Sequence, residues 1–128
     1  MADFPRRAAP VVLCADPEPA MLAFFEKALP RLGMAPVIEN TGADCLSRIR
    51  SSGIAFDWAI IDAGFKDVDS LRIMNELYAR HPAVNAVLAY CSIGETERAI
   101  LDRHPECAPL RKPFTLEELK QILRRTIE

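Results

Sequence analysis

The chain has 128 residues, enough for one domain with a sizeable core. Half of its residues are hydrophobic and 27% are charged, and a net charge of −2 leaves no electrostatic footprint for nucleic acid or an anionic membrane. The longest apolar runs are strand-sized, and Met1 to Pro10 has no signal-peptide core, so the expected location is the cytoplasm.

Residues 1–9 read as a short flexible lead before a single domain over 10–128. Val11 to Cys14 make a first apolar strand. Pro17 and Pro19 suit the first turn of a following helix. That helix places Met21, Phe25, Ala28, Leu29 and Leu32 on one face; Pro30 loosens its last turn and Gly33 closes it. Pro36 to Glu39 is a brief second strand, and a helix over Ala43 to Ser52 buries Leu46 and Ile49.

The stretch Phe56 to Gly64 organises the rest. It is an apolar strand ending in a carboxylate, Asp62, with Ala63-Gly64 leaving room beside it. After a polar loop over 66–70, a helix carries Leu71, Met74, Leu77 and Tyr78, with Asp69 or Ser70 as its cap. Ala86 to Ala89, with or without Tyr90, is a fourth strand, followed by a helix over Glu95 to Arg103. Ala108 to Arg111 is the fifth strand. Thr115 and Glu118 are spaced as a capping box for the last helix, whose stripe is Leu116, Leu119, Ile122, Leu123 and Ile127.

The cysteines, Cys14, Cys45, Cys91 and Cys107, have no CxxC pairing and no ligand-like spacing with the histidines. All four are expected to be buried thiols acting as small hydrophobes. His81 and His104 each precede a proline, which places both at helix ends.

Five strands alternating with five helices predict an α/β, flavodoxin-like doubly wound (βα)5 fold with a five-stranded parallel sheet in the order 2-1-3-4-5. In that order Asp16, Asp62, the Tyr90-Cys91-Ser92 segment and Lys112 converge on one rim. Two carboxylates supply hard oxygen ligands of the kind Mg²⁺ prefers, and Lys112 adds a compact positive charge. Such a set suits phosphoryl chemistry with a carboxylate as nucleophile.

The strand-acid start Val11 to Asp16, the strand Asp57 to Asp62 and the segment Leu110-Arg111-Lys112-Pro113-Phe114 followed by Thr115 to Leu119 together resemble the receiver domain of two-component response regulators. The resemblance spans about residues 10–127. It implies that Asp62 is the phosphoacceptor, that Asp16, Asp62 and the backbone carbonyl of Gly64 hold Mg²⁺, and that Lys112 contacts the phosphoryl group. It also implies a cis bond between Lys112 and Pro113. A sensor histidine kinase or histidine phosphotransfer protein would be the donor, and with no output domain expected, an unknown downstream protein or a relay would receive the signal.

Three departures stand out. Ala15 is read as the position of a missing first acid, for which Glu18 is the candidate substitute. Tyr90 falls where receivers carry a switch hydroxyl, with Cys91 and Ser92 one and two residues away, and Pro109 replaces the usual strand-5 aromatic. These favour an alternative reading as a degenerate receiver that binds partners without phosphorylation. A Mg²⁺-dependent phosphohydrolase is disfavoured by Gly64, where many such enzymes place a second aspartate. A nucleotide-binding domain is disfavoured because no Gly-rich loop follows Cys14. A partner surface is expected around Ile93, Leu101, Pro109, Arg111 and Leu119.

Overall fold

The computed structural model describes residues 9–51 and 53–127, with side chains through Arg124. Most of the N-terminal lead, the helix end at Ser52 and the side chain of Ile127 lie outside the described residues. The elements are β1 (Val11–Ala15), α1 (Pro19–Arg31), β2 (Ala35–Glu39), α2 (Gly42–Ser51), β3 (Trp58–Asp62), α3 (Ser70–Arg80), β4 (Asn85–Tyr90), α4 (Glu95–Arg103), β5 (Ala108–Arg111) and α5 (Leu116–Ile127).

The five strands form one parallel sheet in the order β2-β1-β3-β4-β5, as the alternation of strands and helices predicts. Central strand β3 is buried along its whole length, which accounts for its unbroken apolar run. Side chains alternate across the sheet and divide the core in two. Leu13, Ala15, Ala59, Ile61, Ala86 and Leu88 face α2, α3 and α4, meeting Leu46, Ile49, Ile73, Met74, Leu77 and Ile100. Val12, Cys14, Trp58, Ile60, Val87, Ala89 and Leu110 face α1 and α5, meeting Leu22, Phe25, Leu29, Leu119 and Leu123.

The helix ends follow their sequence signals. Asp69 caps α3, its carboxylate accepting from the Leu71 amide at 3.0 Å. His81 and His104 are the C-terminal caps of α3 and α4. Gly33 takes the left-handed conformation after α1 (φ 79°), which lets the chain reverse into β2. Thr115 and Glu118 form the reciprocal box at the start of α5, with the Glu118 amide donating to Thr115 Oγ1 at 3.1 Å and the Thr115 amide donating to Glu118 Oε1 at 3.0 Å. At Pro30 the last turn of α1 tightens: the Leu32 amide donates to Leu29 O at 2.9 Å and the Gly33 amide to Pro30 O at 3.0 Å.

Four expectations need correction. The buried face of α1 is centred on Leu22, Phe25, Ala28 and Leu29, while Met21 and Leu32 lie at its margins, so the stripe is rotated by about one residue. Leu116 is exposed, because it opens α5 before that helix settles onto the sheet. Leu119 is fully buried in the core and offers nothing to a partner. Cys91 is exposed, since it lies just past the end of β4, whereas Cys14, Cys45 and Cys107 are buried. Burial pushes those three thiols well above their ordinary value, Cys45 and Cys107 to about 12, so they are unreactive packing groups.

Candidate functional site

Asp16, Asp62 and Lys112 reach one point because each sits at a strand end on the same side-chain parity. Asp16 continues the series Val12, Cys14; Asp62 continues Trp58, Ile60; Lys112 continues Leu110. Backbone bonds hold the three ends in place. The Asp16 amide donates to Glu39 O at 3.1 Å, the Ala63 amide to Ala89 O at 2.9 Å, and the Lys112 amide to Tyr90 O at 2.7 Å. The Lys112–Pro113 bond is cis.

Lys112 Nζ donates to Asp62 Oδ1 at 2.8 Å, to Asp16 Oδ2 at 3.0 Å and to Glu18 Oε1 at 3.1 Å. An ammonium has three hydrogens, so all of its donor capacity is engaged. The second oxygen of each buried acid is also bound: Asp62 Oδ2 accepts from the Gly64 amide at 2.7 Å and Asp16 Oδ1 from the Glu18 amide at 2.9 Å. Ser70 Oγ donates to the Asp62 carbonyl at 3.2 Å, fastening the start of α3 to the end of β3.

Asp16, Asp62 and Lys112 are 1%, 5% and 8% exposed, so their charges interact through poorly screened surroundings. Burial, together with repulsion from Asp62, raises the Asp16 carboxyl above its ordinary range despite the Glu18 amide and Lys112. Burial alone would lower Lys112, but its bonds to Asp62 and Asp16 outweigh that and hold it above the ordinary lysine value. Three carboxylates around one ammonium leave a formal charge of −2.

A cleft of about 230 Å³ opens over this cluster, lined by Pro17, Glu18, Asp62, Gly64, Tyr90 and Lys112 and also by Cys91, Ser92 and Glu97. Tyr90 has the parity of Leu88 and packs against the α2–α4 core, so it leaves the sheet on the face opposite Lys112. Pro109 is exposed on β5 beside Leu88.

The sequence reading put the missing acid at Ala15, and the structure overturns that. Ala15 shares the parity of Leu13 and is packed into the α2–α4 core; no side chain at that position could reach the rim. The rim residue beside Asp16 that lacks a donor is Pro17, and Glu18 follows it onto Lys112. Sequence reasoning also missed Asp67. Its carboxylate accepts from the Gly42 and Ala43 amides at 3.0 and 2.9 Å, tying the loop after Asp62 to the start of α2. Those bonds, Ala43's first, hold the Asp67 carboxyl below its usual range. No local signal links residues 24 and 25 positions apart.

Among the described residues no three carboxylate, imidazole or thiolate side chains form a ready metal-ligating group; Asp16, Asp62 and Glu18 meet instead on the Lys112 ammonium. The donor set itself is all oxygen and carries excess negative charge, which fits Mg²⁺.

This arrangement of a five-stranded parallel sheet and five helices is the fold of response regulator receiver domains. The chain is similar in structure to a CheY-like receiver domain protein from Methanospirillum hungatei, with TM-score 0.84 at 16% identity over 93% of this chain and 94% of that one. It is likewise similar to a response regulator receiver protein from Sinorhizobium medicae, with TM-score 0.80 at 24% identity over 91% and 93%. A third is the Vibrio cholerae chemotaxis protein CheY4, with TM-score 0.80 at 17% identity over 92% and 98%. No family model and no curated protein matches the chain by sequence.

Proposed function

We propose that residues 10–128 form a phosphorylatable receiver domain of two-component signalling, acting in the cytoplasm, with Asp62 as the phosphoacceptor. One observation carries the reading: Asp62 ends the central strand at the mouth of the cleft, with Lys112 on one carboxylate oxygen and the Gly64 amide on the other. A phosphohistidine of a sensor histidine kinase or histidine phosphotransfer protein is the donor this geometry suits. An Asp62 oxygen attacks phosphorus in line as the phosphorus–nitrogen bond breaks, and the donor imidazole leaves with the electron pair of that bond and takes up a proton. Lys112 neutralises the phosphoryl oxygens, and the Gly64 amide orients the nucleophile. Mg²⁺, held through Asp16, Asp62 and the Gly64 carbonyl, would add charge neutralisation when bound.

Hydrolysis of the acyl phosphate resets the domain. The signal passes by relay or to a downstream protein, for which the exposed residues Ile93, Pro109 and Arg111 and the half-buried Leu101 supply a surface. A second reading, a receiver that binds partners without phosphorylation, is favoured by Pro17 on the rim and by Tyr90 in place of a small hydroxyl. Intact-protein mass after incubation with Mg²⁺ and a small-molecule phosphodonor decides between them. One phosphoryl adduct that is absent in Asp62→Asn supports the first; no adduct on folded protein supports the second.

A further inference from the structure

We propose that a cleft at the end of the sheet opposite Asp62 binds a small amino alcohol, a monocationic amine with an apolar body and one acceptor oxygen. The cleft has a volume of about 210 Å³ and lies where β3, β4 and β5 begin, against Ile122 of α5. Trp58 opens β3 and Asp62 ends it, so this site and the phosphoacceptor rim are at opposite ends of a parallel sheet. Trp58 is 4% exposed, and its indole N–H donates to no acceptor among the described residues. A buried indole N–H ordinarily has a partner. This one is not fully enclosed, and the opening that Trp58 lines is this cleft.

Two further polar side chains line the same space. Asn85, the register partner of Trp58 on β4, donates through Nδ2 to the Asp57 carbonyl at 3.4 Å, which leaves its Oδ1 as an acceptor. Glu106 supplies the charge. Its carboxylate is 57% exposed, and among the described residues its ionic neighbour is the His104 ring at 4.0 Å. Burial holds that imidazole below its ordinary value, so at neutral pH it is uncharged and leaves the carboxylate unbalanced. These groups select the ligand. The carboxylate repels an anion and pairs with an ammonium, whose remaining hydrogens suit Asn85 Oδ1. An acceptor oxygen on the ligand satisfies the indole N–H. Val84, Ala86, Ala108 and Ile122 receive the hydrocarbon body. At about 30 Å³ per water the space equals roughly seven waters, which a six-carbon amino alcohol fills.

The test uses the chain's single tryptophan, whose indole gives one N–H cross-peak in a nitrogen–proton correlation spectrum. Leucinol is titrated at neutral pH into the wild type and into Glu106→Gln. Ethanolamine, which lacks the apolar body, and isocaproate, which carries the opposite charge, are titrated into the wild type. The expected result is a saturable shift of the indole peak by leucinol, with a dissociation constant of about 1 mM or tighter. Glu106→Gln should weaken it about fivefold or more, and ethanolamine and isocaproate should bind about tenfold or more weakly than leucinol. An indole peak that leucinol leaves unmoved through the millimolar range overturns the inference. So does an affinity in Glu106→Gln within about twofold of wild type, or isocaproate binding as well as leucinol, a comparison that needs no variant. No phosphodonor is present, so failure here leaves phosphorylation of Asp62 standing, and failure of that phosphorylation leaves this site standing.

Discussion

Replacing Lys112 by methionine tests whether the ammonium is what makes the two buried acids tolerable. The variant keeps an apolar side chain of similar length and leaves Asp16 and Asp62, 1% and 5% exposed, facing each other without a cation. Removing one partner of a buried ion pair costs about 3–5 kcal/mol. The lower end applies, because each carboxylate keeps a backbone amide donor, so a loss of about 3 kcal/mol at neutral pH is expected. For a domain of this size that corresponds to a fall of about 12 °C in melting temperature.

The loss depends on pH. In the wild type the folded Asp16 carboxyl lies above its unfolded value, so the native state binds more protons and stability falls as pH rises past the unfolded carboxylate range near 4. Lys112 stays charged throughout that window and limits the fall. Without it Asp16 resists ionisation further, so the gap between variant and wild type is small near pH 4 and complete by neutrality. Urea denaturation in chelator at both pH values measures this. A loss under about 1 kcal/mol, the level of an exposed pair, or an equal loss at both pH values refutes the reasoning.

Other expectations concern the scaffold. Leu77→Ala, in the fully buried face of α3, should cost about 2–5 kcal/mol by urea denaturation. Thr115→Ala removes one half of the α5 box and should cost about 1 kcal/mol in the same assay, with Thr115→Ser recovering most of it. Gly33→Ala meets no neighbouring atom within 4 Å, so any loss comes from the left-handed backbone alone, about 1 kcal/mol. Asp67→Ala should speed hydrogen exchange at the Gly42 and Ala43 amides while leaving the β4 amides unchanged.

The fold was legible because its signals are local and redundant. Apolar runs bounded by Gly, Pro and acids marked the strands, and Thr115 with Glu118 marked α5 before any contact was known. What escaped depends on parity and long-range approach. Ala15 and Asp16 are neighbours in sequence yet point to opposite faces of the sheet, so an acid counted by position was assigned to a residue that cannot reach the rim. Cys91 looked apolar from its neighbours, but one residue past the end of β4 places it in the open. The Asp67 tie to α2 and the reach of Glu18 onto Lys112, across 94 residues of chain, exist only after the sheet has assembled.

Glu18 stands between Pro17 and Pro19, and this has a consequence for the unfolded chain as well. Two pyrrolidine rings hold φ near −65° on either side, and each also restricts the residue before it, so the rim carboxylate has few backbone conformations to lose on folding. Its backbone is restricted by covalent geometry rather than by packing, and its carboxylate meets Lys112 Nζ at 3.1 Å. A position open to solvent can in this way be preorganised at the backbone without being packed.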